Sequence, residues 1–196
     1  MNHNQLDAFY SFCDERGLAR PAELLLRNRQ WTQILEHRIT NLSIDRGMLL
    51  GALSEYMTKQ EYTQTVRWFW SHSEGDLESA GVEMIFTNHN GTRLTVLDFL
   101  TPQERQVFNT WLDVITIYRG CTGKTKEGLP WTLDHGVAGG VAQKRAEESS
   151  TGVGLVLTGQ CRKTEILCYI QTDLNEHEVL VSLSTVTKSR EDSLNS

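Results

Sequence analysis

The chain changes character at Leu112, and no other feature constrains its fold as strongly. Before that point apolar residues recur at helical spacing. After it come four short β-branched or aliphatic runs, "VITIY", "VGLVLTG", "ILCYI" and "EVLVSL", separated by Gly, Thr, Asp and Asn. Runs of this length between turn-forming residues read as strands. The pattern predicts an α+β fold: a mostly helical N-terminal region over residues 1–112, a β-core over 113–187, and a polar tail over 188–196 that frays.

Helix signals in the first region are local and specific. In "RPAELLLRNRQWTQILEHR", Pro21 suits a first turn and Leu24, Leu25, Trp31, Ile34 and Leu35 follow helical periodicity. "SIDRGMLLGALSEYM" predicts a second helix capped by Ser43, with Leu49, Leu53 and Tyr56 on one face. Thr58 with Glu61, and Thr101 with Pro102 and Glu104, each carry a capping signature. "VEMIF" reads equally as a short helix or a strand, and "SHSEGDLESAG" reads as loop. Trp68, Phe69 and Trp70 read as core. In the β-region, Asp134 is positioned to cap a helix over "HGVAGGVAQKRAEE", which Gly139 and Gly140 weaken by about 1 kcal/mol each relative to alanine.

Composition excludes several classes of function. With 19 Lys and Arg against 25 Asp and Glu, the net charge of -6 argues against broad binding of a phosphate backbone, so a nucleic-acid partner is not expected. The four cysteines form no C-x-x-C pair and no histidine pair has ligand spacing, which argues against a zinc site. The start of the chain lacks a signal-peptide pattern and no run approaches the roughly 18 apolar residues of a membrane span. A soluble, cytoplasmic protein with reduced thiols is the expectation.

"RGCTGKTKEGLPWT" contains Gly-Lys-Thr at 123–125, a fragment of a phosphate-binding loop. The full motif needs a glycine at 118, where Tyr118 stands, and a helix directly after it. Gly128 and Pro130 would stop such a helix in its first turn. Gly-Lys-Thr therefore reads as an exposed loop.

A different constellation spans the β-region. Arg119 ends a predicted strand, Thr132 follows in "GLPWTLD", and Glu176 and Glu178 open the last strand in "NEHEVLV". An arginine fork suits a diphosphate, a hydroxyl steadies a ribose and its catalytic acid, and a carboxylate stabilises an oxocarbenium-like sugar as its base departs. A second carboxylate two residues away shares the same strand face and suits an incoming nucleophile. The chemistry this order serves is N-glycosidic cleavage of a dinucleotide such as NAD.

"YRG", "GLPWTLDHGVAGGVA", "ILCYI" and "EHEVLV" together resemble the arginine-serine-glutamate class of ADP-ribosyltransferases, phage and bacterial members included, over Tyr118 to Val181. The resemblance implies a split, strongly bent β-core holding NAD in its cleft, and transfer of ADP-ribose from NAD to a protein acceptor, with arginine favoured by the E-x-E spacing. It implies that Arg119 binds the NAD phosphate, that Glu178 is the catalytic glutamate and that Glu176 serves the acceptor. Gly120, Trp131 and Thr132 fall within the motifs that contact NAD, although the Trp131 side chain reads rather as wedge or core. One departure stands out: Pro130 occupies the position of the motif's opening serine, leaving Thr132 as the hydroxyl. Two alternatives remain open, a non-catalytic binding or inhibitor protein on a degenerate core of this type and an NAD glycohydrolase. His135 and His177 read as exposed bystanders, and neither the acceptor protein nor the oligomeric state is encoded in a local pattern.

Overall fold

The protein is described from a computed structural model. The structure describes residues 1–18, 20–36, 42–72, 82–126, 128–149, 152–171 and 177–195. The chain divides into two compact units, Met1–Leu77 with Asn88–Arg93, and Glu78–Thr87 with Leu94–Ser196.

Among its described residues the first unit carries five helices: α1 (His3–Glu15), α2 (Glu23–Arg27), α3 (Trp31–Glu36), α4 (Leu42–Ser54) and α5 (Lys59–Ser71). A hairpin of two short strands, β1 (Asn88–His89) and β2 (Thr92–Arg93), belongs to it as well. Each well-formed helix start satisfies the backbone N–H groups that a helix leaves without partners. Asn2 and Gln5 box the start of α1 at 3.0 and 2.8 Å, and Thr58 and Glu61 do the same for α5. Leu6, Phe9, Leu26, Ile34, Leu35, Leu49, Leu53, Val66 and Phe69 are buried.

Two expectations differ from the structure here. The predicted continuous helix over "RPAELLLRNRQWTQILEHR" is broken between α2 and α3, where Arg29 turns to a left-handed φ of 56°. Arg29 is held there by two 2.5 Å bonds to the Glu61 carboxylate and one to the Tyr56 carbonyl. The same pairing, reinforced by the Thr58 cap, lowers the Glu61 pKa to about 2. Helix α4 begins at Leu42, so Ser43 lies inside it rather than capping it, and Tyr56 lies beyond its end. The predicted loop over "SHSEGDLESAG" falls outside the described residues except at its start.

The second unit is α+β. It contains α6 (Val82–Thr87), α7 (Val96–Phe99), α8 (Pro102–Asn109), β3 (Val114–Thr122), β4 (Pro130–Thr132), α9 (His135–Glu148), β5 (Val153–Arg162), β6 (Ile166–Gln171), β7 (His177–Val181) and β8 (Thr187–Asn195). "VEMIF" is thus helical. The strands form one antiparallel sheet in the order β6-β7-β4-β3-β5-β8. β3 pairs with β5 from Val114 to Thr122, but with β4 only at Tyr118 and Thr132. The sheet is therefore two three-stranded halves joined by a short seam.

Strand alternation assigns the two faces. Ile115, Ile117 and Cys121 of β3, Leu155 and Leu157 of β5, Trp131, Val179, Val181 and Tyr169 form one apolar core with Val96 and Phe108 of the helices. Glu104, in the capping box of α8, also accepts a 2.9 Å bond from the Gln171 amide, which ties α8 to β6. The opposite face receives α9. The tail expected to fray is instead edge strand β8, paired with β5 from Val153↔Asn195 to Gln160↔Thr187. Its partner is the open backbone edge of β5, which recruits a polar segment that has no apolar pattern of its own. The Lys126–Glu191 ion pair at 2.7 Å fastens it to the loop after β3.

Candidate functional site

Glycine decides where α9 sits. A β-carbon at Gly120 would collide with the Ala138 carbonyl and the Ala142 amide of α9, and one at Gly154 with the Ala142 carbonyl. Ala138 and Ala142 are fully buried against Val156, with Tyr118 packed alongside. Small residues on both partners let a helix backbone lie directly on the strands. Gly120, expected to contact NAD, therefore has a packing role on the same face. The Asp134 carboxylate caps α9 through the amides of Gly136 and Val137 at 2.6 and 3.2 Å.

Towards β4 and β7 the helix leaves a cleft of about 280 Å³, lined by Tyr118, Gly120, Thr132, Ala138, Arg145 and Glu178 among others. Register explains the grouping. Tyr118 stands opposite Thr132, and Thr132 opposite Glu178, so three side chains from three strands form one row on the α9 face. The Thr132 hydroxyl accepts the Asp134 N–H at 3.1 Å, which fixes its orientation, and Glu178 is half-buried. His135, at the first turn of α9, presents its ring edge-on to Tyr118 with centroids 5.2 Å apart.

Arg119 borders the same cleft but alternates to the other face, beside Ile117 and Cys121. It is 3% exposed. Its Nη1 donates to the Pro130 carbonyl at 2.7 Å and its Nη2 to the Thr125 carbonyl at 3.0 Å. Gly128 lies so close that a β-carbon there would strike the guanidinium. Trp131 also borders the cleft, yet its ring is 2% exposed and belongs to the apolar core, the wedge role that its side chain suggested. Lys124 and Gly123 are exposed, and among the described residues no helix stands between β3 and β4.

Five of the six expected site residues, Arg119, Gly120, Trp131, Thr132 and Glu178, thus line one cleft. Glu176 lies outside the described residues. Two side chains were missed. Arg145 follows Ala138 by seven residues and Ala142 by three, the spacing of one helix face, and the strand glycines opposite were the available signal. His177 is no exposed bystander: it is half-buried, and its Nδ1 lies 2.7 Å from the Tyr169 hydroxyl, whose pKa burial pushes up to about 12. Tyr169 therefore stays a protonated phenol under ordinary conditions.

The cleft combines a half-buried carboxylate, an oriented hydroxyl, an aromatic ring and a cation. That set can hold a sugar, oppose positive charge developing on it and bind an attached anion. No helix among the described residues is long and apolar enough to cross a membrane, and none of their His, Cys, Asp and Glu side chains cluster as a metal site. No protein-family model, curated protein or solved structure matches this chain.

Proposed function

We propose that this chain is an NAD-dependent mono-ADP-ribosyltransferase of the arginine-serine-glutamate class, transferring ADP-ribose to a protein acceptor, with arginine as the acceptor side chain. The observation that carries the reading is the row Tyr118–Thr132–Glu178 on adjacent strands, bordered by Arg119. Residues of motifs that span Tyr118 to Val181 border this cleft, with the Arg119 guanidinium itself turned to the core face. The short seam between the two halves of the sheet also agrees with a split core.

The cleft volume of about 280 Å³ falls just below the roughly 300–1,000 Å³ usual for ligand sites, so it suits one nucleoside-sized half of NAD rather than the whole molecule. The nicotinamide riboside belongs at the Glu178 end. Glu178 stabilises the oxocarbenium-like ribose as the bond from C1′ to the nicotinamide nitrogen breaks and its electron pair leaves with nicotinamide. Thr132, held by the Asp134 amide, keeps its hydroxyl hydrogen to donate towards Glu178 across the ladder. It takes the part of the serine that Pro130 replaces, while the Pro130 carbonyl anchors Arg119. A guanidinium nitrogen of the acceptor then bonds to C1′ and gives up a proton. Glu176 is assigned to receive that proton and to orient the acceptor. The products are ADP-ribosyl-arginine, nicotinamide and a proton.

Two observations favour a second reading, a non-catalytic binding protein on the same core: Pro130 offers no side-chain hydroxyl, and Arg119 already donates to the Pro130 and Thr125 carbonyls. The test is incubation of purified protein with NAD labelled in its adenylate part and a cell lysate, reading label on protein alongside free nicotinamide. The enzyme reading expects both. In Glu176→Gln, transfer should collapse while slow NAD hydrolysis continues, because water needs less orientation than a side chain. Saturable NAD binding without nicotinamide release supports the second reading.

A further inference from the structure

In the first unit three arginines lie over aromatic rings among the described residues. Arg16 is 5.9 Å from the centroid of Phe12, Arg20 is 5.3 Å from that of Tyr10, and Arg29 is 5.2 Å from that of Trp31. Two of these contacts are completed by a carboxylate: Asp14 pairs with Arg20, and Glu61 holds Arg29 at 2.5 Å. Arg16 has no ion pair among the described residues. A guanidinium that lies on a ring and is gripped by a carboxylate is a full binding arrangement. At Arg16 it stands half made.

A carboxylate is at hand there, but Arg16 does not engage it. Phe12 and Arg16 of α1, Met48 of α4, and Glu55 and Tyr56 just after α4 line a groove of about 540 Å³. That volume is ordinary for a ligand site. Phe9, 1% exposed, also borders it. The Phe12 ring lies at 25° to the Phe9 ring and the Tyr56 ring at 89°, with centroids 6.4 and 6.3 Å away. Phe12 and Tyr56, both half-buried, are therefore steeply inclined to each other, and with Phe9 they form an aromatic corner. Glu55 is exposed and has no ion pair among the described residues. Its charge is felt at the corner: burial, and then the Glu55 carboxylate, raise the pKa of the Tyr56 phenol.

We propose that this groove binds an arginine side chain presented by an exposed segment of a partner protein. The incoming guanidinium pairs with Glu55 in the aromatic corner and completes there the arrangement already made at Arg20 and Arg29. Arg16 is exposed and covers Phe12 in the free protein, so it swings towards water when the site fills. A planar fork of donors fits a ring face and a two-oxygen carboxylate together, which the point charge of a lysine does not. The net charge of -6 favours the approach of a basic segment. The groove has room beyond one guanidinium, and Met48 offers apolar surface to the residues beside the arginine. The site lies wholly within the first unit and does not rest on the NAD reading.

The test is calorimetry on the full chain, without NAD, against short acetylated peptide amides that differ in one central residue. That residue is arginine, lysine or citrulline, the last a neutral copy of arginine's shape; tetramethylammonium is the further probe. Wild-type protein should bind the arginine peptide saturably and the citrulline peptide about fivefold or more weakly, since both the ion pair and the ring contact are lost. Glu55→Gln should weaken the arginine peptide about threefold and leave the melting temperature unchanged, because the carboxylate is exposed. Arg16→Ala should tighten binding about twofold, since it uncovers Phe12 and removes a like charge. Equal affinity in wild type, Glu55→Gln and Arg16→Ala places the peptide elsewhere and overturns the proposal, as does weaker binding in Arg16→Ala. Lysine or tetramethylammonium bound as tightly as arginine overturns the arginine assignment in favour of a general organic-cation site. A wild-type protein that binds none of the probes removes the site.

Discussion

On one face of the six-stranded sheet, Trp131, Tyr169, Ile117 and Val179 are packed as large side chains; on the other, Gly120, Gly154, Ala138 and Ala142 have almost none. The first face fills space with side-chain volume and closes. The second brings a helix backbone down onto the strands at one place, and beside that contact the space towards β4 and β7 stays open. Alternation along β3 serves both: Ile117 and Cys121 point into the core, while Tyr118 and Gly120 meet the helix and the cleft. A cleft beside a packed core needs no separate scaffold. It needs large residues at one parity of the strand and small or reactive ones at the other.

Trp131 distinguishes the two faces most sharply. Removing its ring in Trp131→Ala leaves a cavity in the core face, and loss of about 3–5 kcal/mol is expected in denaturant unfolding. A loss below about 1 kcal/mol would mean that the ring belongs to the cleft rather than to the core. The opposite error, excess volume on the helix face, is Gly120→Val. Its side chain runs into the backbone of α9, which cannot rotate away as a side chain could, so about 1–3 kcal/mol of destabilisation is expected together with loss of ligand binding. Near-normal stability there would show that α9 does not rest on Gly120. The smallest effect has the opposite sign. Gly139, on the same helix, has open space around its missing side chain, so Gly139→Ala should stabilise by up to about 1 kcal/mol and raise the melting temperature. A fall would place Gly139 in an unrecognised contact.

The parts of the fold legible in the sequence are those fixed by neighbours in the chain. Thr58 with Glu61 and Thr101 with Glu104 form the capping boxes that their spacing predicted, because a cap is complete within four residues. The strand runs "VITIY", "VGLVLTG", "ILCYI" and "EVLVSL" carry their own apolar pattern and coincide with β3, β5, β6 and β7. β4 does not: its three residues begin with proline, and it is a strand only because Leu180, Val179 and Glu178 pair with it. β8 is charged and serine-containing, and the free edge of β5 recruits it. The break at Arg29 depends on Glu61, thirty-two residues away. The same distinction separates the site residues. Thr132 and Glu178 stand in short motifs and could be singled out, and their meeting follows from strand order. Arg145 stands in no motif, and its relevance appears only once Gly120 has fixed the position of the helix.

In the proposed reaction Glu178 acts as a charge facing the ribose. The direct measurement is the initial rate of nicotinamide release from NAD by wild-type protein and by Glu178→Gln, compared at equal folded concentration. Glutamine keeps the shape and hydrogen-bonding reach of the side chain and removes its charge, so a fall on the order of 10²-fold or more is the predicted result. Equal rates in the two proteins would contradict it, since two proteins differing only at that charge would then open the glycosidic bond alike.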